Sequence, residues 1–423
     1  MAVMLLSVAA HSAFVFGEDS VAFEGAEGFG ACSRGGTGGR VLKVTTLKDD
    51  EDDPPKGSLR WAVEQKGPRI VRFDVAGNIR LEAPLVVREP FLTIDGYDSP
   101  GGVCLRDYGL SINDTHDVIV RHLRLRRGDR ATLAEVEKKK LERPHGSSGL
   151  DTASANRSRN IIFDHCSLSW SCDEIFGIVG CENVTIQWCI ISEPLANPKL
   201  HPYGDRHAFA LNLSASTLSL HHCLIAHYVM RGPQFEANDV RKGQGYDVQM
   251  EAINNVMFDY ERSGSRYTTG IENDPEDAEG VAFRFQFINN LYVNEDASRP
   301  QIEAVTRHGV TDQLRVYIAG NIGPQRPTED LDALAGVFID KETPIERAER
   351  SIRRQIVDKP LFAAPTPVTI ESAEAAFQHV VKEAGCGPDR DAVDNRILKD
   401  VARRRFGHIV KSQDDVAGWP ELK

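Results

Sequence analysis

A short phrase recurs five times between residues 163 and 291, and no other feature constrains the fold as tightly. It reads Phe163-Asp164-His165-Cys166, Ile186-Gln187-Trp188-Cys189, Leu220-His221-His222-Cys223, Ile253-Asn254-Asn255-Val256 and Ile288-Asn289-Asn290-Leu291. The copies stand roughly 23 to 35 residues apart, the spacing of solenoid arrays. Around each copy the residues alternate. Val184, Ile186 and Trp188 share one parity and Thr185 and Gln187 the other; Leu218 and Leu220 oppose Ser219 and His221. A period of two means strands with one face inside. The strands are short and no crossover helix separates them, which excludes a doubly wound sheet or a barrel of alternating strands and helices. A unit of this size cannot bury its apolar face alone, so neighbours must stack. The expected fold is all-β, a single-stranded parallel β-helix with a partly helical C-terminal tail.

The columns of the repeat sort structural residues from chemical ones. Cys166, Cys189 and Cys223 occupy one column, which Val256 and Leu291 fill in the later copies; such a column faces the interior, and its thiols act as small hydrophobes. Asp164 and His165 look catalytic, yet they sit in the repeat with Trp188, His222 and Asn255, so a stacked structural role is the better reading, and His221 and His222 follow it. The Asn255/Asn290 column belongs at a bend, where side-chain amides bond neighbouring backbone groups. No cysteine pairing with a histidine pattern makes a zinc site.

The 423 residues carry a net charge of −12, so neither a nucleic acid nor an anionic membrane is an expected partner. An acidic polymer would need a cation to bridge it to so acidic a protein. No stretch is long and apolar enough to cross a bilayer. Residues 1–17 are apolar and end on Val15-Phe16-Gly17, which reads as a secretory signal and a secreted or periplasmic protein, although the first basic residue is Arg34. The β-helix is expected over 18–325, with a charged insertion at 130–149, and a tail over 326–423 that packs on the solenoid. A monomer is expected. Short helices are expected at 59–63 and 131–142, and an amphipathic one at 371–383. Strands are expected at 70–75, 85–87, 91–94 and 118–125, each bounded by Gly, Pro, Asp or Asn.

Chemistry-bearing residues gather in three loops: Gly149-Leu150-Asp151-Thr152-Ala153-Ser154, Trp170-Ser171-Cys172-Asp173-Glu174, and Tyr228-Val229-Met230-Arg231-Gly232-Pro233-Gln234-Phe235. In a solenoid the equivalent loops of successive rungs lie side by side, so these line one groove. Together with Ile161-Ile162-Phe163-Asp164-His165-Cys166-Ser167, Leu220-His221-His222 and Ile253-Asn254-Asn255, they make residues 23–323 resemble the pectate lyases of polysaccharide lyase family 1. The resemblance implies a right-handed parallel β-helix that cleaves pectate or pectin, an acidic polysaccharide, by Ca²⁺-dependent β-elimination. It places Asp151 and Asp173 at positions of calcium-binding acids, with the adjacent Glu174 as a further ligand, and Arg231 at the position of the catalytic base. Arginine's ordinary pKa above about 12 makes a neutral guanidine scarce, and bidentate clamping of a carboxylate comes more easily to it. The chain departs from the family at Glu236, where a second Arg is usual, and at Tyr203, where a Lys is; Lys199, Arg206 or His227 are the candidates to bind substrate in their place. Two other readings remain: a non-catalytic carbohydrate-binding β-helix, and a polygalacturonase-type hydrolase. The hydrolase needs three nearby Asp residues on adjacent rungs, and no Asp-Asp pair lies near a Gly-His-Gly in the repeat region.

Overall fold

The computed structural model describes residues 20–236, 247–271, 280–328, 330–387 and 390–423. The expected export signal at 1–17 lies outside them. Three parallel sheets wind along one axis. One complete rung runs from Phe209–Ala215 in what we term the third sheet, to Thr217–His221 in the first, to Leu224–Tyr228 in the second. Each of these strands pairs in parallel with its counterpart one rung earlier and one rung later. Among the described strands, the antiparallel exception is the closing hairpin of Val337–Ile339 with Thr343–Pro344. The expected parallel β-helix is therefore the fold.

Strand parity builds the core. Ile161, Phe163, Val184, Ile186, Leu218 and Leu220 all point inward and are fully buried in one continuous cluster. The corner between the first and second sheets is made by one residue per rung in the left-handed region: His122, His165, Trp188, His222, Asn254 and Asn289, with φ between 50° and 55° apart from His165 at 49°. That stacks their rings. Centroids are 5.2 Å apart for His122–His165, 6.0 Å for His165–Trp188 and 4.4 Å for Trp188–His222. Asp164 is spent on Arg121, His165 and Gln187. The histidines of the repeat are thus structural, as their column implies. The corner also splits the expected run at 118–125 into His116–Arg121 and Arg124–Arg126.

The cysteine column is corrected. Register aligns Leu220 with Ala252 and His221 with Ile253, so Cys166, Cys189 and Cys223 continue into Asn255, Asn290 and Asn321, not into Val256 and Leu291. The Cys223 N–H donates to Asn255 Oδ1 (3.0 Å), the Asn255 N–H to Asn290 Oδ1 (2.9 Å) and the Asn290 N–H to Asn321 Oδ1 (3.0 Å). The one-residue slip has a physical origin. Ile253 and Ile288 face outward and are covered by Val368 and Tyr317, so outward apolar residues mimic the inward parity of the earlier copies. The three thiols are fully buried all the same, and no disulfide joins any of the eight cysteines.

Helices and extended segments lie over parts of the coil. Helix Leu59–Val63, capped by the Ser58 side chain, joins the core near its N-terminal end. Helix Arg130–Lys138 lies in the insertion. Helix Ala373–Glu383 is joined by a second, Ala392–Arg403, and together they bury Val380, Ile397 and Val401 on Leu224, Val256 and Phe258 of the second sheet. The N-terminal segment lies on the first sheet: the Gly30 N–H donates to Thr185 Oγ1 (2.9 Å), and a Cβ at Gly30 would stand 2.4 Å from the Ile161 carbonyl oxygen, which accounts for glycine there. Over its early rungs the third sheet keeps a half-open outer face. Ser111, Ser154, Gly177 and Asn212 stand on it in register, each half-buried.

Under the N-terminal segment, Glu251 is 2% exposed on the outer face of the first sheet and is bonded by the Ser219 hydroxyl at 2.7 Å and by the Gln286 amide at 3.4 Å. Burial outweighs those bonds and raises its carboxyl from 4.5 to about 7. A raised folded-state pKa means stability that is present below pH 4.5 and lost as pH rises through 7. Glu251→Gln keeps the shape without the charge. Urea denaturation is expected to show the wild type losing about 3 kcal/mol between pH 4.5 and 8 through this group, and the variant losing that much less.

Candidate active site

The cluster forms where the second-sheet strands hand over to the third. Asp151 sits two residues before strand Ala153–Asn156, and Glu174 opens the strand on the next rung. The Thr152 N–H donates to the Glu174 carbonyl at 3.2 Å, and the Glu174 N–H returns to Asp151 Oδ1 at 3.2 Å. Parallel register therefore sets both carboxylates on one side of the coil. Asp173 is held by its N–H on the Leu150 carbonyl. Carboxylate oxygens of Asp151, Asp173 and Glu174 lie within 4.8 Å of one another. Gly177 makes the room: a Cβ there would stand 2.2 Å from Asp151 Oδ2.

Arg231 arrives from two rungs further on. It takes a left-handed φ of 69°, its carbonyl accepts the Leu211 N–H at 2.7 Å, and its guanidinium hydrogen-bonds Glu174 while lying 4.7 Å over the Phe209 ring. Phe209 packs in turn on His207 (3.9 Å) and His207 on His201 (3.7 Å, 10° between planes). His207 Nε2 stands 2.9 Å from Asp173 Oδ1 and 3.8 Å from Glu174 Oε1; His201 Nε2 stands 3.5 Å from Asp173 Oδ1. Neither histidine stands out in the sequence. The signal available was two histidines six apart around the Gly204 turn, ahead of a strand.

Burial and crowding set the charges. Burial, then Glu174 and Asp173, hold the Asp151 carboxyl well above the usual range. Burial also raises Glu174, against the pull of Arg231 and His207. Asp173 goes the other way: burial would raise it, but the His201 and His207 imidazoles outweigh that and hold it far below. Burial would lower His207, yet the two carboxylates push it up to about 9. Three acids so close repel one another, and the imidazoles meet the charge of Asp173 alone. An oxygen-seeking divalent cation fits this donor set, since it takes carboxylate oxygens and would relieve the repulsion.

The structure brings Asp151, Asp173, Glu174 and Arg231 together, and of the three expected substrate-binding residues it gives His227 and Arg206 other charged partners. His227 is fully buried, 2.7 Å from Asp259 under the C-terminal helices, with Asp400 at 3.8 Å. Arg206 is turned to Glu261 at 2.9 Å, along a shallow polar cavity of about 380 Å³. Lys199 is exposed, its N–H on the Asn197 side chain. Of the departing residues, Tyr203 is 77% exposed with its ring edge-on to His201, and Glu236 has Arg307 at 3.7 Å.

No family model matches the chain. A protein of Aspergillus flavus described as probable pectate lyase C is 30% identical over 406 residues, covering 95% of this chain and 82% of that one. Among solved structures, the major allergen of cedar pollen superimposes with a TM-score of 0.58 at 17% identity, covering 86% of this chain and 93% of the other. A pectate lyase bound to a hexasaccharide superimposes with a TM-score of 0.52 at 14% identity, covering 89% and 99%. The structural likenesses bear on the fold.

Because its missing Cβ makes the room for Asp151, Gly177→Ala is expected to displace that carboxylate. Calorimetric titration with Ca²⁺ should show at least tenfold weaker binding than in the wild type, roughly 1.4 kcal/mol, with an unchanged far-ultraviolet circular dichroism spectrum.

Proposed function

This chain belongs to the pectate lyase family and is a lyase, and from that premise we propose that it cleaves a polygalacturonate-type uronate polymer by Ca²⁺-dependent β-elimination, as an exported protein. The observation that carries this reading is the Arg231 guanidinium bonded to Glu174 at the rim of the buried Asp151–Asp173–Glu174 cluster. One solved structure of the same fold is a pectate lyase bound to a hexasaccharide, in keeping with a polymeric substrate.

The C5 proton of a galacturonate is poorly acidic because it lies beside a carboxylate. Asp151, Asp173 and Glu174 would hold Ca²⁺, which when bound supplies neutralisation of the uronate carboxylate and so acidifies that proton. Glu174 anchors one nitrogen of the Arg231 fork, whose side chain keeps 12% of its surface exposed, and a planar fork suits a uronate carboxylate. To act as the base, the Arg231 guanidinium would first release a proton to solvent and, as the neutral guanidine, take up the C5 proton. The electrons of the C5–H bond become the C4–C5 double bond, and the C4 oxygen departs with the C4–O pair and takes a proton from solvent. Ser111, Ser154 and Asn212 offer neutral hydrogen-bonding partners to sugar hydroxyls along the half-open face.

Incubation with polygalacturonate and Ca²⁺ is expected to raise ultraviolet absorbance through the unsaturated product. A chelator should abolish the rise, and Arg231→Ala should reduce it at least a thousandfold with the fold intact. Reducing ends without unsaturation, or binding without product, would overturn the reading. The pH dependence carries a sign as well. Asp151 and Glu174 are raised by burial and must lose their protons to bind a cation, so Ca²⁺ affinity should climb with pH above the ordinary carboxylate range. In Arg231→Ala, where the charge that lowers Glu174 is gone, the climb should move to higher pH.

A further inference from the structure

We propose that His201, His207 and Asp173 form a second cation site, suited to a borderline divalent first-row ion of the zinc or cobalt class. It goes beyond the calcium reading and shares Asp173 with it. Bonds of about 2.1 Å from one metal ion put neighbouring donor atoms roughly 3.0–3.4 Å apart. The two imidazole Nε2 atoms stand 2.9 Å and 3.5 Å from Asp173 Oδ1, and the three donors lie within 4.8 Å of one another. Both rings present the same edge, because they stack nearly parallel and turn Nδ1 the other way, towards Asp205 Oδ1 at 3.3 Å from His207 and 3.5 Å from His201. An outer carboxylate on the far nitrogen is the usual device that orients a metal-binding histidine. At His207 the Asp205 contact is a hydrogen bond. At His201 the Tyr203 N–H also faces Nδ1 at 3.4 Å, so a metal at Nε2 would set the tautomer.

Asp173 Oδ1 is buried, and what faces it are the two imidazole edges themselves, 2.9 Å and 3.5 Å away. Glu174 Oε1, 3.8 Å from His207 Nε2, is the next oxygen within reach. Calcium prefers oxygen throughout, whereas imidazole selects zinc, cobalt and nickel. Among the described residues, the histidine–carboxylate group of His122, Asp164 and His165 differs on this point: Arg121, His165 and Gln187 already bond Asp164 at 2.7–2.8 Å. An ion on the His201 side would draw Asp173 out of the acid cluster and so compete with calcium.

The test is a Co²⁺ titration of the full chain freed of metal by a chelator, read by visible absorption. One equivalent is expected to develop the bands of nitrogen–oxygen ligation, and Zn²⁺ to bleach them. His207→Gln and His201→Gln should each weaken Co²⁺ binding at least tenfold, while Asp151→Asn keeps the bands. No absorption beyond that of aqueous Co²⁺ in the wild type overturns the proposal whatever the variants do, and so do bands that survive His207→Gln. The wild-type spectrum and His207→Gln decide the matter even where His201→Gln, whose side chain is buried, does not fold. Calorimetric Ca²⁺ binding to the wild type and to Asp151→Asn tests the calcium reading separately, so either can fail alone.

Discussion

Neighbouring rungs of a parallel coil stand about 4.8 Å apart, and the backbone N–H and C=O groups between them are committed to the strands above and below. That commitment turns a sequence position into a column. A residue at one corner must stack on its counterparts, so the corner accepts what packs in a pile: imidazoles, an indole, then asparagines. The same spacing lets Asn255, Asn290 and Asn321 pass hydrogen bonds up the interior, each amide closing on a backbone carbonyl of an adjacent rung. Where the pile changes from cysteine to asparagine, the backbone N–H of Cys223 finds the first side-chain oxygen. The ladder is continuous although its chemistry is not.

Stacking also decides where charge accumulates. Asp151 and Glu174 are brought together by register, and Asp173 comes with its neighbour. The repulsion this creates is met from other rungs, by Arg231 on Glu174 and by His207 on Asp173. The aromatic ring of Phe209 ties the two cations together, one face under the guanidinium and the ring tilted 47° to the imidazole. The site is an arrangement in which acids crowd on one side of the coil and cations arrive from the rungs that follow.

Much of this was legible in the sequence. Period-two alternation without crossover helices leaves little besides a coil of short parallel strands, and equivalent loops of a coil must be neighbours, which gathers Asp151, Asp173, Glu174 and Arg231. Reading columns removed Asp164 and His165 from the chemistry. What could not be read came from outer faces. Ile253 and Ile288 are apolar because the segment around Val368 covers them, and a covered outer face looks like an inner one, hence the slip in the cysteine column. His227 lies near Arg231 in sequence but belongs to the second sheet, and one corner of the coil is enough to send it beneath the tail. His201 and His207 were missed because their loop carries no repeat, and its path is set by packing on Phe209.

The covers explain why the third sheet is the face left open. The N-terminal segment spends glycines to lie flat on the first sheet, and the tail spends Val380, Ile397 and Val401 on the second, with Arg126 buried against Asp391 and Asp394 to seal it. The early rungs of the third sheet are left with Ser, Gly and Asn on the outside, too small to fill the face and too polar to need covering. The departures at Glu236 and Tyr203 take on a different sense in that setting. An acid at 236 comes with Arg307 from two rungs further on, and the cation missing at 203 has a counterpart in His207, four residues on and already against Asp173. Charge in this groove is balanced between rungs, not position by position, so a substitution within one loop says little about the site until the loops stacked on it are known.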